Sequence, residues 1–122
     1  MSTAKHILLV GDANSRKPFL KLFEKAGILI TEGENMKIAF EKALALKLDG
    51  ILFVTPRYWD DVTRFVDDIR THPGFENMPI IYIGALIEGE DMRILQMKGV
   101  HTLTLGPVPH EEMVRYVVDK LT

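Results

Sequence analysis

Asp49-Gly-Ile-Leu-Phe-Val-Thr55, near the middle of the chain, is the stretch that decides the fold. Its uninterrupted apolar run, which follows a turn signal, is typical of a central strand that is buried on both faces. In an open parallel sheet, ligands and reacting groups lie at the carboxyl ends of such strands. Here that end is Val54, whose isopropyl group can act neither as a nucleophile nor as an acid, a base or a metal ligand. The stretch therefore predicts an architecture and, at the same place, the lack of a reactive group.

Short apolar runs alternate with helical patterns along the whole chain, which predicts five βα units and a parallel sheet covered on both faces. The predicted strands are residues 6–10, 28–31, 50–55, 79–83 and 101–105, with helices after each of them. Asn35 is the predicted N-cap of the second helix. Pro18 fits only the first turn of a helix, so the first helix is expected to begin near residues 15–17.

Length and composition narrow the class of protein. A chain of 122 residues can bury enough surface to fold without a metal or a disulfide, so residues 1–122 are expected to form a single domain. The net charge of -2 offers no basic footprint for nucleic acid, and Arg16, Lys17 and Lys21 are interpreted as a solvated helix face. The chain has no cysteine, no signal peptide and no long apolar stretch, which predicts a cytoplasmic protein that does not enter the membrane.

Four stretches together resemble the receiver domain of two-component response regulators, over essentially the whole chain. They are Ile7-Leu-Leu-Val-Gly-Asp12, Asp49-Gly-Ile-Leu-Phe-Val54, Met78-Pro-Ile-Ile-Tyr-Ile-Gly-Ala85 and Gly99-Val-His-Thr-Leu-Thr-Leu-Gly-Pro107. The resemblance implies an α/β fold, the flavodoxin-like (βα)5 doubly wound sandwich, with a parallel five-stranded sheet in the order 2-1-3-4-5. It also implies a place in two-component signal transduction or a phosphorelay.

The resemblance maps the functional positions of receivers, which take a phosphoryl group onto an aspartate with the help of a divalent cation. The corresponding pocket in this chain consists of Gly11, Asp12, Val54, Gly84, Gly106 and Pro107. Only Asp12 keeps its functional group, because Val54 stands for the phosphate-accepting aspartate and Gly11 for the other acid. Gly84 replaces the hydroxyl residue, Gly106 the lysine, and Leu103 the aromatic residue of the switch. The resemblance also implies a cis Gly106–Pro107 peptide.

These replacements have direct chemical consequences. An acyl phosphate needs a carboxylate oxygen as its nucleophile, and Val54 has none. Mg²⁺ prefers oxygen ligands in octahedral arrangement, usually one or two carboxylates with phosphate and water, and a lone carboxylate beside an isopropyl group makes a poor site. The chain is therefore predicted to have no catalytic residue, metal or cofactor and not to be an enzyme. Asp12 is expected to be exposed or to cap the first helix. The histidines show no metal-ligand spacing, and no glycine-rich phosphate loop occurs.

Two surfaces are candidates for binding a partner. Tyr58 and Trp59 follow the third strand, and aromatic side chains of this kind are enriched at interface hot spots. Receivers commonly pair or bind partners through their last two βα units. With Val114, Val117, Val118 and Leu121 turned inward, Met113 and Tyr116 are expected to lie off the buried stripe. The candidates on these units are Met92, Leu95, Leu103, Met113 and Tyr116.

The resulting interpretation is a degenerate receiver, or pseudo-receiver, that works as a phosphorylation-independent signalling or scaffolding module. It would bind a protein partner in a signalling pathway, with a homodimer as one form, and neither nucleic acid nor membrane. The alternative is a small-ligand-binding domain that uses the crevice at the carboxyl ends of the strands. That crevice is expected to be apolar and roomy, because Val54, Gly84 and Gly106 are small or uncharged. A live phosphoacceptor at Asp12 or Asp49 is a third hypothesis.

Overall fold

Five parallel strands alternate with five helices in the computed structural model. The structure describes residues 4–57, 61–86, 89–104 and 108–121. The strands are β1 (His6–Val10), β2 (Leu29–Gly33), β3 (Gly50–Arg57), β4 (Ile80–Leu86) and β5 (Val100–Thr104). The helices are α1 (Ala13–Lys25), α2 (Met36–Ala45), α3 (Asp61–Arg70), α4 (Gly89–Met97) and α5 (His110–Lys120). Every predicted element is present, and each follows its predicted order in the chain.

The sheet has the order β2-β1-β3-β4-β5, as the resemblance implied. All four neighbouring pairs are parallel, and β3 forms the middle of the sheet. Phe53 aligns with Val10 on one side and with Tyr82 on the other. The carboxyl ends of β1, β3 and β4 are thereby brought to one edge of the sheet. This arrangement confirms the flavodoxin-like fold and places the candidate site at that edge.

Helices cover both faces of the sheet, so consecutive strand residues enter different hydrophobic layers. Phe53 packs in the layer that contains residues of α2, α3 and α4. Val54 packs in the opposite layer, which contains residues of α1 and α5. Both side chains are almost fully buried, as the apolar run at the start of β3 predicted.

Some predicted boundaries were wrong. α1 begins at Ala13, not at residues 15–17, because Asp12 caps it. Pro18 therefore lies inside the helix, where it has no amide hydrogen for the carbonyl of Asn14. Both residues are exposed, so water can reach that carbonyl. The second, third and fourth strands run further than predicted, because ladder pairs such as Thr55 with Gly84 extend them towards the candidate site.

None of the described helices has the length and the apolar composition that a membrane-spanning helix requires.

Candidate functional site

Gly11 lies where β1 ends, in tight contact with the backbone of β3. Its amide donates a hydrogen bond to the carbonyl of Gly33 at 3.1 Å, which ties it to the end of β2. A Cβ atom added at Gly11 would overlap the carbonyl oxygen of Val54, a backbone atom that cannot rotate away. Only glycine permits this approach of the two strand ends. The first acidic position of a receiver is therefore sterically closed in this backbone.

Asp12 is the N-cap of α1, as the sequence predicted. Its carboxylate accepts a hydrogen bond from the Ser15 amide at 3.3 Å and another from the Ser15 hydroxyl at 2.6 Å. The hydrogen bond from the Ser15 hydroxyl is the main reason why the pKa of Asp12 is lowered. The residue is exposed, and it already has partners within its own helix turn. The one retained acid therefore has a structural role.

Val54 belongs to the hydrophobic core. Its side chain is 1% exposed and lies in the same hydrophobic layer as Leu52 and Ile83. Among the side chains described in that layer are Phe19 of α1 and Met113 of α5. The position that the resemblance assigns to the phosphate-accepting aspartate is thus occupied by a packed apolar group.

A buried tyrosine that sequence analysis missed fills the space beside Gly84. A Cβ atom added at Gly84 would lie 2.5 Å from the Tyr82 ring and 2.7 Å from its hydroxyl oxygen. The Tyr82 hydroxyl shares a hydrogen bond of 2.8 Å with the Thr55 hydroxyl, and both residues are fully buried. One sequence signal was available: Tyr82 precedes Gly84 by two residues, so both face the same side of β4. The crevice is therefore filled at Gly84, contrary to the expectation that a small residue leaves it roomy.

Arg16 also contributes to this edge of the sheet, although it was interpreted as part of a solvated face. Its side chain is only 12% exposed. Its Nε atom donates a hydrogen bond to the Gly11 carbonyl at 2.7 Å, and its Nη1 atom pairs with Glu32. Lys42 donates to the Glu32 carbonyl at 2.7 Å. The interpretation of Arg16 was wrong because a long side chain can fold back along its helix to reach strand carbonyls.

The described residues provide little that could hold a ligand or a metal at this edge. Four surface cavities, of about 220 to 780 Å³, are formed by described residues, and none of these four is lined by Gly11, Asp12, Val54 or Gly84. In the part of the chain that the structure describes, no three His, Asp or Glu side chains are grouped to hold a metal ion. Gly106 and Pro107, together with the predicted cis peptide, lie outside the described residues.

Two of the predicted partner-binding residues are buried, and those predictions were wrong. Met113 is 1% exposed and Leu95 is fully buried. Met113 is buried because α5 packs against α1 as well as the sheet, so its buried face is wider than one stripe. Leu95 is buried because it is the residue by which α4 enters the core.

The remaining partner-binding candidates fall into two groups. Met92, Leu103 and Tyr116 are partly exposed. Tyr58 and Trp59 lie outside the described residues. Met97 at the end of α4 is not among the predicted candidates, but it is 77% exposed and is the most exposed of the large apolar side chains described.

No family model and no curated protein sequence matches this chain. Solved structures of receiver domains do match it over nearly their full length. Chemotaxis protein CheY4 of Vibrio cholerae has 16% identity and a TM-score of 0.78, and the match covers 98% of this chain and 100% of that one. A two-component response regulator from Clostridium difficile has 22% identity and a TM-score of 0.79, with coverage of 96% and 95%.

A third match is the receiver domain of a sensor histidine kinase from Pseudomonas aeruginosa, described with a magnesium ion coordinated in its active site cleft. It has 21% identity and a TM-score of 0.77, with coverage of 97% of this chain and 98% of that one. These comparisons show that the chain has the fold of CheY-like receiver domains.

Proposed function

We propose that this chain is a degenerate receiver, a signalling or scaffolding module that acts through protein–protein contacts and without phosphorylation. The observation that carries the proposal is Val54, an apolar core residue at the strand end where receivers carry their phosphate-accepting aspartate. An isopropyl group cannot form an acyl phosphate, because it has no carboxylate oxygen to act as the nucleophile. The module would therefore not be an enzyme.

The surroundings of Val54 support the same proposal. The backbone contact between Gly11 and Val54 leaves no room for the missing acid. The carboxylate of Asp12 is held by Ser15, and the Tyr82 ring covers Gly84. Mg²⁺ binds several oxygen ligands, whereas the one carboxylate here, that of Asp12, already accepts hydrogen bonds from Ser15. The Tyr82 ring also weighs against the alternative of a small ligand in the crevice.

The surface formed by α4, β5 and α5 is the proposed partner contact. Met97 is 77% exposed, and Met92, Leu103 and Tyr116 are partly exposed. A shallow cavity of about 330 Å³, lined by Gln96, Thr102 and Tyr116 among others, lies on this surface. Exposed apolar side chains beside a cavity can bury area in a protein contact. The partner would be another signalling protein or a second copy of the chain.

One electrostatic feature of this surface also favours a protein contact. Burial, followed by repulsion from Lys120 and Arg70, lowers the pKa of His101 on β5. The lowered pKa favours the neutral imidazole at pH 7, so His101 itself adds no charge that a partner would have to desolvate. Lys120 itself lies 5.1 Å from the centre of the Tyr116 ring, where the ring can stabilise its charge.

A pair of single substitutions tests this proposal. Met97→Asp should abolish the capture of a specific host protein, or self-association of the pure chain, without changing the melting temperature, because Met97 contributes little to the core. Leu29→Asp is the matched control, since Leu29 is 58% exposed on the opposite edge strand. It should leave the association unchanged.

Treatment with acetyl phosphate should change neither the association nor the intact mass of the protein. Loss of association in the Leu29 variant alone would refute the proposed surface. An association that requires a phosphoryl group on the protein would refute independence from phosphorylation.

A further inference from the structure

A groove between α2 and α3 lies on a different part of the surface. Two adjoining cavities form it, of about 780 and 220 Å³, and they share Met36 and Asp61 as lining residues. The proposed function uses neither of these residues. The groove combines an apolar floor with an acidic rim.

The floor follows one ridge of α2. Met36, Phe40 and Leu44 are spaced four residues apart, so their side chains lie above one another on the helix. Met36 and Phe40 line the cavities and are partly buried. Leu44 lines neither cavity; it continues the ridge beyond them and is 45% exposed. The Phe40 ring packs edge-on against the Phe65 ring of α3 at 5.4 Å, which fixes the bottom of the groove. From Met36 to Leu44 the ridge spans nine residues, or about 12 Å of helix axis.

The rim carries more negative than positive charge. Its acids are Glu34, Glu41, Asp61 and Asp68, and its bases are Lys37 and Arg64. Among the described residues, none of these four carboxylates forms an ion pair, whereas Glu32 and Asp67 elsewhere on the surface do. A positively charged partner could therefore gain contacts here without displacing existing ones.

We propose that this α2–α3 groove binds a cationic amphipathic helix of another protein. A helix presents apolar side chains at the same three- and four-residue spacing as the ridge, which suits packing of helix against helix. Lysine or arginine residues beside that apolar stripe would lie opposite the four rim carboxylates. Apolar contact would supply affinity, and the charges would set orientation and association rate.

A synthetic peptide tests the proposal on the intact chain. The probe is a fluorescein-labelled amphipathic helix built only of lysine and leucine at helical spacing. We expect it to perturb the backbone amide resonances of residues 36–44 and 61–68 in NMR spectra. The double variant Glu41→Gln, Asp68→Asn should weaken its binding about fivefold, as expected for the loss of two rim charges. The remote variant Glu24→Gln, Glu111→Gln removes the same charge from exposed positions on α1 and α5 and should bind like the unaltered chain.

Four results would overturn the proposal. The first is that the remote variant weakens binding of the peptide as much as the groove variant does, and the second is that a lysine and serine peptide of the same charge binds equally well. The third is that Ca²⁺ alone causes the same amide shifts, and the fourth is that the chain self-associates and the groove variant abolishes this self-association. The last two would assign the groove to a metal ion or to a second copy. The Met97→Asp variant should still bind the peptide, so this proposal and the proposed function can fail separately.

Discussion

Replacing Val54 by aspartate introduces a carboxylate at the position that the resemblance assigns to the phosphate-accepting residue. It tests whether a nucleophile is all that the proposed pseudo-receiver lacks. The valine side chain is 1% exposed, so its lost burial costs about 1.5 kcal/mol. Burying a carboxyl group among apolar side chains costs a further ~2–3 kcal/mol, even when the group is protonated. We therefore expect Val54→Asp to lower the free energy of unfolding by about 4 kcal/mol, a large fraction of the stability of an ordinary domain.

The penalty should depend on pH in a defined direction. Burial raises the pKa of the introduced carboxyl above its ordinary value of about 3.9. The folded state then binds the proton more tightly than the unfolded state, so stability falls as pH rises from about 4 through the raised folded pKa. Urea unfolding should show a smaller difference from the parent chain at pH 4 than at pH 7. Val54→Asn, which has similar size and does not titrate, should show the same difference at both values.

The Val54→Asp variant should also not become phosphorylated. Gly11 and Gly84 leave no second acid and no hydroxyl at their positions, and Asp12 remains engaged by Ser15. Intact mass after treatment with acetyl phosphate and Mg²⁺ should show no added phosphoryl group. A Val54→Asp protein that is as stable as its parent and gains one phosphoryl group would refute this reasoning, because the site would then lack only its nucleophile.

Three further predictions concern the same edge of the sheet. Tyr82→Phe leaves the buried Thr55 hydroxyl without its tyrosine partner and should lower the free energy of unfolding in urea by about 1–2 kcal/mol. Adding Thr55→Val should recover part of that free energy, and no recovery would mean that the two hydroxyls are not coupled. Arg16→Met should lower the free energy of unfolding by about 1–2 kcal/mol, because the Gly11 carbonyl loses a charge-assisted donor. Lys17→Met, at an exposed position, should change it by less than about 0.5 kcal/mol, and equal effects would contradict the role of Arg16. Asp12→Ala should cost about 1 kcal/mol at pH 7. Since the folded pKa of Asp12 is lowered, the part of this contribution that depends on its charge should be lost as pH falls through the folded pKa, and an undiminished difference at pH 2 would contradict the role of the carboxylate.

Much of the fold was predictable because its signals are local. The apolar run ending at Val54 identified a buried strand, and alternation with helical patterns identified a parallel sheet. The strand order came from the resemblance to receivers and was confirmed. Asn35 caps α2 by accepting a hydrogen bond from the Ile38 amide at 2.9 Å, as its position before an amphipathic segment indicated. Pro18 misled the prediction because the cap at Asp12 outweighs a proline in an exposed part of the helix.

Burial on the last two helices was harder to predict from periodicity. The pattern of α5 placed Met113 outside the buried stripe, but a helix that contacts both a sheet and a neighbouring helix buries a wider arc. The pattern of α4 was apolar on more than one side, and nothing local distinguished buried Leu95 from exposed Met97. Which apolar side chain points inward depends on how the helix is rotated against the sheet, and that rotation is a tertiary property.

The sequence by itself determined the chemistry that this site lacks, because a nucleophile or an acid is absent from Val54 and Gly11 whatever the fold. It also determined the succession of strands and helices along the chain, since caps and periodicity act over a few residues. Only the tertiary structure decided what fills the site in their place. The Tyr82 ring reaches Thr55 because β3 and β4 pair in a particular register, and Arg16 reaches Glu32 because β2 lies beside β1 in the sheet. Such contacts depend on the relative placement of elements, which no local pattern encodes.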